Sequence, residues 1–70
     1  MMIERPPHLY QLIQKEEWLR AFCTYKQERA ILHWAEKHGD QWPVKIELEE
    51  GDDKQNYVTL HLEGGAKMTF

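Results

Sequence analysis

Apolar and polar residues alternate with period two across Trp42 to Glu63. Val44, Ile46 and Leu48 form one apolar set, Val58, Leu60 and Leu62 a second, and an acidic loop from Glu50 to Asn56 separates them. Strict alternation is the mark of a strand with one face buried, so the pattern predicts an antiparallel hairpin. Pairing Val44 with Leu62, Ile46 with Leu60 and Leu48 with Val58 gathers all six apolar residues on one face. The other face then carries Lys45, Glu47, Glu49, Tyr57, Thr59, His61 and Glu63. Glu47 opposes Thr59 and Glu49 opposes Tyr57, so like charges do not meet directly. Gly64-Gly65 turns the chain toward a last short strand, Lys67 to Phe70. A two-residue turn would pair His61 with Met68 and expose Met68 and Phe70. A three-residue turn through Ala66 would pair Leu62 with Met68 and Leu60 with Phe70, completing the apolar face, and burial favours it.

The first half shows the helical period instead. Leu9, Leu12, Ile13, Leu19 and Cys23 share one face at 100° per residue, while Trp18 and Phe22 fall beside or opposite it. Pro6 and Pro7 disfavour helix before them and make residues 1–7 an extended lead-in. Thr24, followed three residues later by Gln27, fits a capping box, in which each side chain satisfies a backbone N–H of the other's residue. The stripe also fails there, at Lys26 and Gln27. Two helices, about 8–22 and 25–38, are therefore expected, with a single bent helix as the alternative. The second presents Ala30, Ile31, Trp34 and Ala35 inward and ends on Lys37, His38 and Gly39, which suit a helix C-terminus.

Together these signals predict one small α+β domain, ordered ααβββ. Residues 8–38 form two helices packed on one face of a three-stranded antiparallel meander built from residues 42–70. Seventy residues bury a small core, and Cys23 is the only cysteine, so no internal disulfide can assist it. Burial against a partner or a second copy, as a homodimer, is the remaining source of stabilisation. A 41% apolar and 30% charged composition suits a globular chain. No apolar run reaches membrane-spanning length, and the N-terminus lacks the apolar stretch of a secretory signal. The cytoplasm is the expected compartment. The net charge of -3 opposes non-specific attraction to nucleic acid or to anionic membrane.

Candidate chemistry is sparse. Glu47, Glu49, Glu50, Asp52 and Asp53 put five carboxylates into seven residues. Such a loop steers a basic partner, or simply keeps hairpin edges apart. Gly51 comes too early in it for a calcium loop of the EF-hand kind. His33, Glu36, His38 and Asp40 are a scatter of ligand types without the convergence a metal site needs. Cys23, on the inner stripe, reads as a core residue rather than a nucleophile. Nothing implies an enzyme, a cofactor or a small-molecule substrate.

The aromatic residues carry the remaining signal, because Trp and Tyr anchor interfaces at low entropic cost. Trp18 is the expected exposed anchor, with Phe22 on the same arc. The sequence thus points to a protein-interaction module, accessory, regulatory or inhibitory, that binds another protein or itself through Trp18, Phe22 and the acidic residues Glu49, Glu50, Asp52 and Asp53. The alternative is a nucleic-acid-associated regulator using Lys26, Arg29 and His33 on the outer arc of helix 25–38, against which the acidic loop tells.

Overall fold

A computed structural model describes residues 1–70. The chain forms two compact units, one of Met1–Arg5 with Trp42–Phe70 and one of Pro6–Gln41. The first is a sheet and the second a helix pair. The class is α+β.

The sheet has four strands rather than three, in the order β1 (Met2–Glu4), β2 (Lys45–Glu50), β3 (Asn56–His61) and β4 (Lys67–Thr69), all antiparallel. The central pair follows the alternation: Ile46 opposes Leu60, Leu48 opposes Val58, Glu47 opposes Thr59 and Glu49 opposes Tyr57. Ile46, Val58 and Leu60 are buried on the apolar face. A one-residue slip would carry all of them to the polar face, which is why this register is strongly specified.

The extra strand corrects the strand count and precedes the helices, which still come before the other three strands. Instead of an unpaired lead-in, Ile3 lies opposite Ile46, and the Met1 and Leu48 backbones exchange N–H···O bonds of 2.8 Å. The ladder ends where the Arg5 N–H donates to the Val44 carbonyl at 2.9 Å, because Pro6 and Pro7 have no N–H to continue it.

At the other edge the turn has three residues, as the favoured type does, but it sits one residue earlier, at Glu63–Gly65 instead of through Ala66. Glu63–Gly65 form a 3₁₀ turn in which Gly64 and Gly65 take φ of 81° and 89°, and the Leu62 N–H donates to the Ala66 carbonyl at 2.8 Å. Met68 consequently faces Leu60 rather than Leu62, and Phe70 bonds to Val58 in both directions. The register has moved by an even step. Met68 therefore keeps the apolar side that the longer turn was expected to give it.

In the helical unit, α1 spans Leu12–Arg20 and α2 spans Tyr25–Lys37. α1 is shorter than the apolar stripe at both ends. The Gln14 side-chain oxygen accepts the Tyr10 and Gln11 N–H groups, each at 3.0 Å, and so caps the helix after His8, Leu9 and Tyr10 have passed. α2 begins at the expected box: Thr24 Oγ1 accepts from the Gln27 N–H at 3.1 Å, and Gln27 Oε1 accepts from the Thr24 N–H at 3.0 Å. Thr24 is extended, which separates two helices and excludes a single bent one. α2 ends in a Schellman pattern, with Gly39 and Asp40 at φ of 69° and 59° and the Asp40 N–H donating to the Ala35 carbonyl. Its buried positions are Glu28, Ile31 and Ala35, whereas Ala30, expected inside, is exposed. Neither helix is long and apolar enough to cross a membrane.

Candidate functional site

Burial in α1 is confined to its last turn. Trp18 is 8% exposed and Leu19 fully buried, close to the point where the chain turns back into α2. This overturns the reading of Trp18 as a surface anchor. Phe22, just beyond the helix, does reach solvent, at 37% exposure. Tyr25, at the start of α2, and Met1 are also open to water, at 75% and 72%, and a further exposed group lies at the other end of α1. Tyr10, Leu12 and Ile13 are 78%, 63% and 60% exposed within four consecutive residues. Leu12 and Ile13 were expected inside. Their stripe gives the correct side of the helix for Leu12, but the first turn lies beyond the buried stretch.

The turn between the helices is locked by charge. Glu28 is 1% exposed, and its carboxylate accepts from Arg20 at 3.0 Å and 3.5 Å. A carboxylate that buried needs such a partner. Glu16 lies 3.9 Å from both Arg20 and Arg29, and the Arg29 guanidinium also sits 5.9 Å over the Tyr25 ring. Arg29 is thus committed within the helix pair, which leaves the outer arc of α2 with less free positive charge than Lys26, Arg29 and His33 suggest.

Cys23 is half-buried, and burial, reinforced by the nearby Glu28 carboxylate, pushes its thiol up to about 11. Such a thiol is protonated at neutral pH and a poor nucleophile. No three metal-ligating side chains converge anywhere in the chain.

In the sheet unit the acidic residues separate into three kinds. Asp53 is structural: Oδ2 accepts the Tyr57 hydroxyl at 2.6 Å and Oδ1 accepts the Gln55 N–H at 3.1 Å, which hold its carboxyl below the usual range. The Tyr57 ring covers Gly51, leaving no room for a side chain there. Glu47 and Glu49, two residues apart on one face, share a hydrogen bond that lowers Glu47 and raises Glu49. Glu47 is further held down by His61, whose Nε2 lies 3.2 Å away. Glu50 and Asp52 are exposed at the end of the hairpin. Of the acidic residues singled out from the sequence, Asp53 shapes the loop, Glu49 belongs to a carboxyl pair, and Glu50 and Asp52 project charge outward.

Two features of these sites escaped sequence reasoning. The Glu28–Arg20 pair had no signature, since a glutamate in the first turn of a helix is ordinarily exposed. The Tyr10–Ile13 cluster was visible as three large apolar residues around a glutamine, but helical periodicity assigned two of them to the interior. Compared with known protein families, characterised proteins and solved structures, neither the sequence nor the fold finds a match.

Proposed function

We propose that this chain is a protein-interaction module whose contact surface is the start of α1. The observation that carries this reading is the exposure of Tyr10, Leu12 and Ile13 within four residues. Single exposed apolar side chains are ordinary, whereas a contiguous set favours a partner that covers it. The positions are well placed for such a role. Leu12 and Ile13 are held on the first helical turn by the Gln14 cap, so little ordering entropy remains to be lost on binding. Glu50 and Asp52 add a negative field that draws a positively charged partner. Phe22, also exposed, lies beyond the opposite end of α1 and is a separate apolar position.

The test compares capture of binding proteins from an extract of the producing cells by the wild-type chain and by the L12E/I13E variant. Both side chains are exposed, so the variant should keep its far-ultraviolet dichroism and thermal midpoint. A partner retained by the wild type and lost at least tenfold by the variant is the expected result. Equal retention by both would refute this placement of the surface.

A further inference from the structure

The β4 edge of the sheet is self-complementary. Phe70 exchanges both backbone bonds with Val58, at 2.7 Å and 3.0 Å, and Met68 lies opposite Leu60. Because inward and outward groups alternate along a strand, the N–H and C=O groups of Lys67 and Thr69 face away from β3, toward open water. Those outward groups match those of a second β4 running the opposite way.

We propose that the chain forms a two-fold dimer by pairing β4 with β4 of a second copy, continuing the two four-stranded sheets into one. In this register Lys67 exchanges its backbone bonds with Thr69 of the second copy, and the reverse, while Met68 meets its own counterpart at the axis. Lys67 therefore faces a threonine, not another lysine. An edge lysine ordinarily guards a strand against pairing. Here its charge acts on the sheet's own acidic face, where it adds slightly to the lowering of Glu47 and opposes the rise of Glu49. The apolar side of the edge is correspondingly uncovered. Met68 is 39% exposed although it continues the buried row of Ile46 and Leu60, and the pairing closes that row against the same row of the second copy.

The opposite edge is less suited. On β1 the outward backbone belongs to Met2 and Glu4, since Met1 and Arg5 face β2. Antiparallel self-pairing there sets Glu4 across from Met2 without a cation, and Pro6-Pro7 blocks extension of the ladder. This dimer involves none of Tyr10, Leu12 and Ile13. It stands or falls separately from the helical surface proposed above.

Disulfide trapping tests the register directly. At the axis Met68 and its counterpart form a non-hydrogen-bonded pair with Cα atoms about 4.5 Å apart, within disulfide reach. In a C23A background, M68C should oxidise to a covalent dimer in most of the protein, whereas I3C should remain monomeric. Sedimentation equilibrium should show a dimer for the wild type, and T69P should weaken it at least tenfold. That proline removes an outward N–H and spares the backbone bonds to β3, losing besides only the exposed 2.9 Å hydroxyl contact of Thr69 with Thr59, so its dichroism should match the wild type. If T69P fails to fold, the cysteine pair decides alone. A wild-type monomer at millimolar concentration, or crosslinking through I3C instead of M68C, overturns the proposal.

Discussion

The packing of Tyr57 on Gly51 makes a single methyl group a sharp probe of the acidic loop. A Cβ at Gly51 would lie 2.8 Å from Asp53 Oδ1 and 3.1 Å from Tyr57 Cδ2, and closer still to Tyr57 Cε2. Gly51 has no left-handed φ, so alanine meets no backbone strain there, and restricting the unfolded chain alone would make Gly51→Ala stabilising by about 0.4–1 kcal/mol. Overpacking of this kind costs about 1–3 kcal/mol, which outweighs that gain. A net loss of about 1–2 kcal/mol follows, and in a chain this small it lowers the thermal midpoint by roughly 4–15 °C. The assay is thermal and urea unfolding of the wild type, G51A, Y57A and the double variant. With the Tyr57 ring gone only the Asp53 Oδ1 contact remains, so Gly51→Ala should be markedly less destabilising in the Y57A background. Equal destabilisation in both backgrounds would show that the ring does not cover Gly51 and would refute the account of the loop.

The Tyr57–Asp53 bond has a pH signature of its own. Asp53 is held below its ordinary value by Tyr57 and then by the Gln55 N–H, and Tyr57 is raised by Asp53. The acid side of the stabilisation is present above about pH 4 and is lost as pH falls through the lowered Asp53 value. The alkaline side is present below about pH 10 and is lost as pH rises through the raised Tyr57 value. The stability difference between wild type and Y57F should therefore form a plateau between these limits and shrink beyond both. A difference independent of pH would refute the contact. For Cys23, a thiol moved from 9.0 to about 11 carries about a hundredfold less thiolate at pH 8, so native alkylation by iodoacetamide should be slower than that of the urea-unfolded chain by that order. Equal rates would place Cys23 in water.

The elements most legible in the sequence were those specified twice. β2 and β3 carry alternation on both strands, and only one register buries both apolar sets. α2 carries both a capping box and a glycine stop, and the chain obeys each. The illegible parts each lacked a second signal. β1 offers only Ile3 as an inward residue, and its strand character comes from a β2 edge far along the chain. Periodicity also fixes the angle of a side chain around a helix but not its depth along the axis. Leu12 and Leu19 are seven residues apart on one side of α1, yet Leu19 is fully buried and Leu12 is 63% exposed. Trp18 failed for the complementary reason. It lies off the centre of the apolar stripe but in the last turn, where α1 is buried over a wider arc.

The loop shows the same limit for charge. Counted along the sequence, the five carboxylates from Glu47 to Asp53 look like one site, but their chemistry divides by what each is bonded to. Asp53 spends its charge inside the loop, and its removal would unlock Tyr57 before it altered any partner. Glu47 and Glu49 face Lys67 and His61 and share a hydrogen bond, so their net field in solution is weaker than a pair of isolated carboxylates would give. Of the five, Glu50 and Asp52 are exposed and take part in none of these side-chain bonds. A field from two exposed charges acts over about a Debye length, roughly 8 Å at physiological salt. It therefore governs how fast a charged partner arrives more than how long it stays. In the proposed function retention rests on short-range apolar contacts, for which Tyr10, Leu12 and Ile13 are three exposed side chains within four residues.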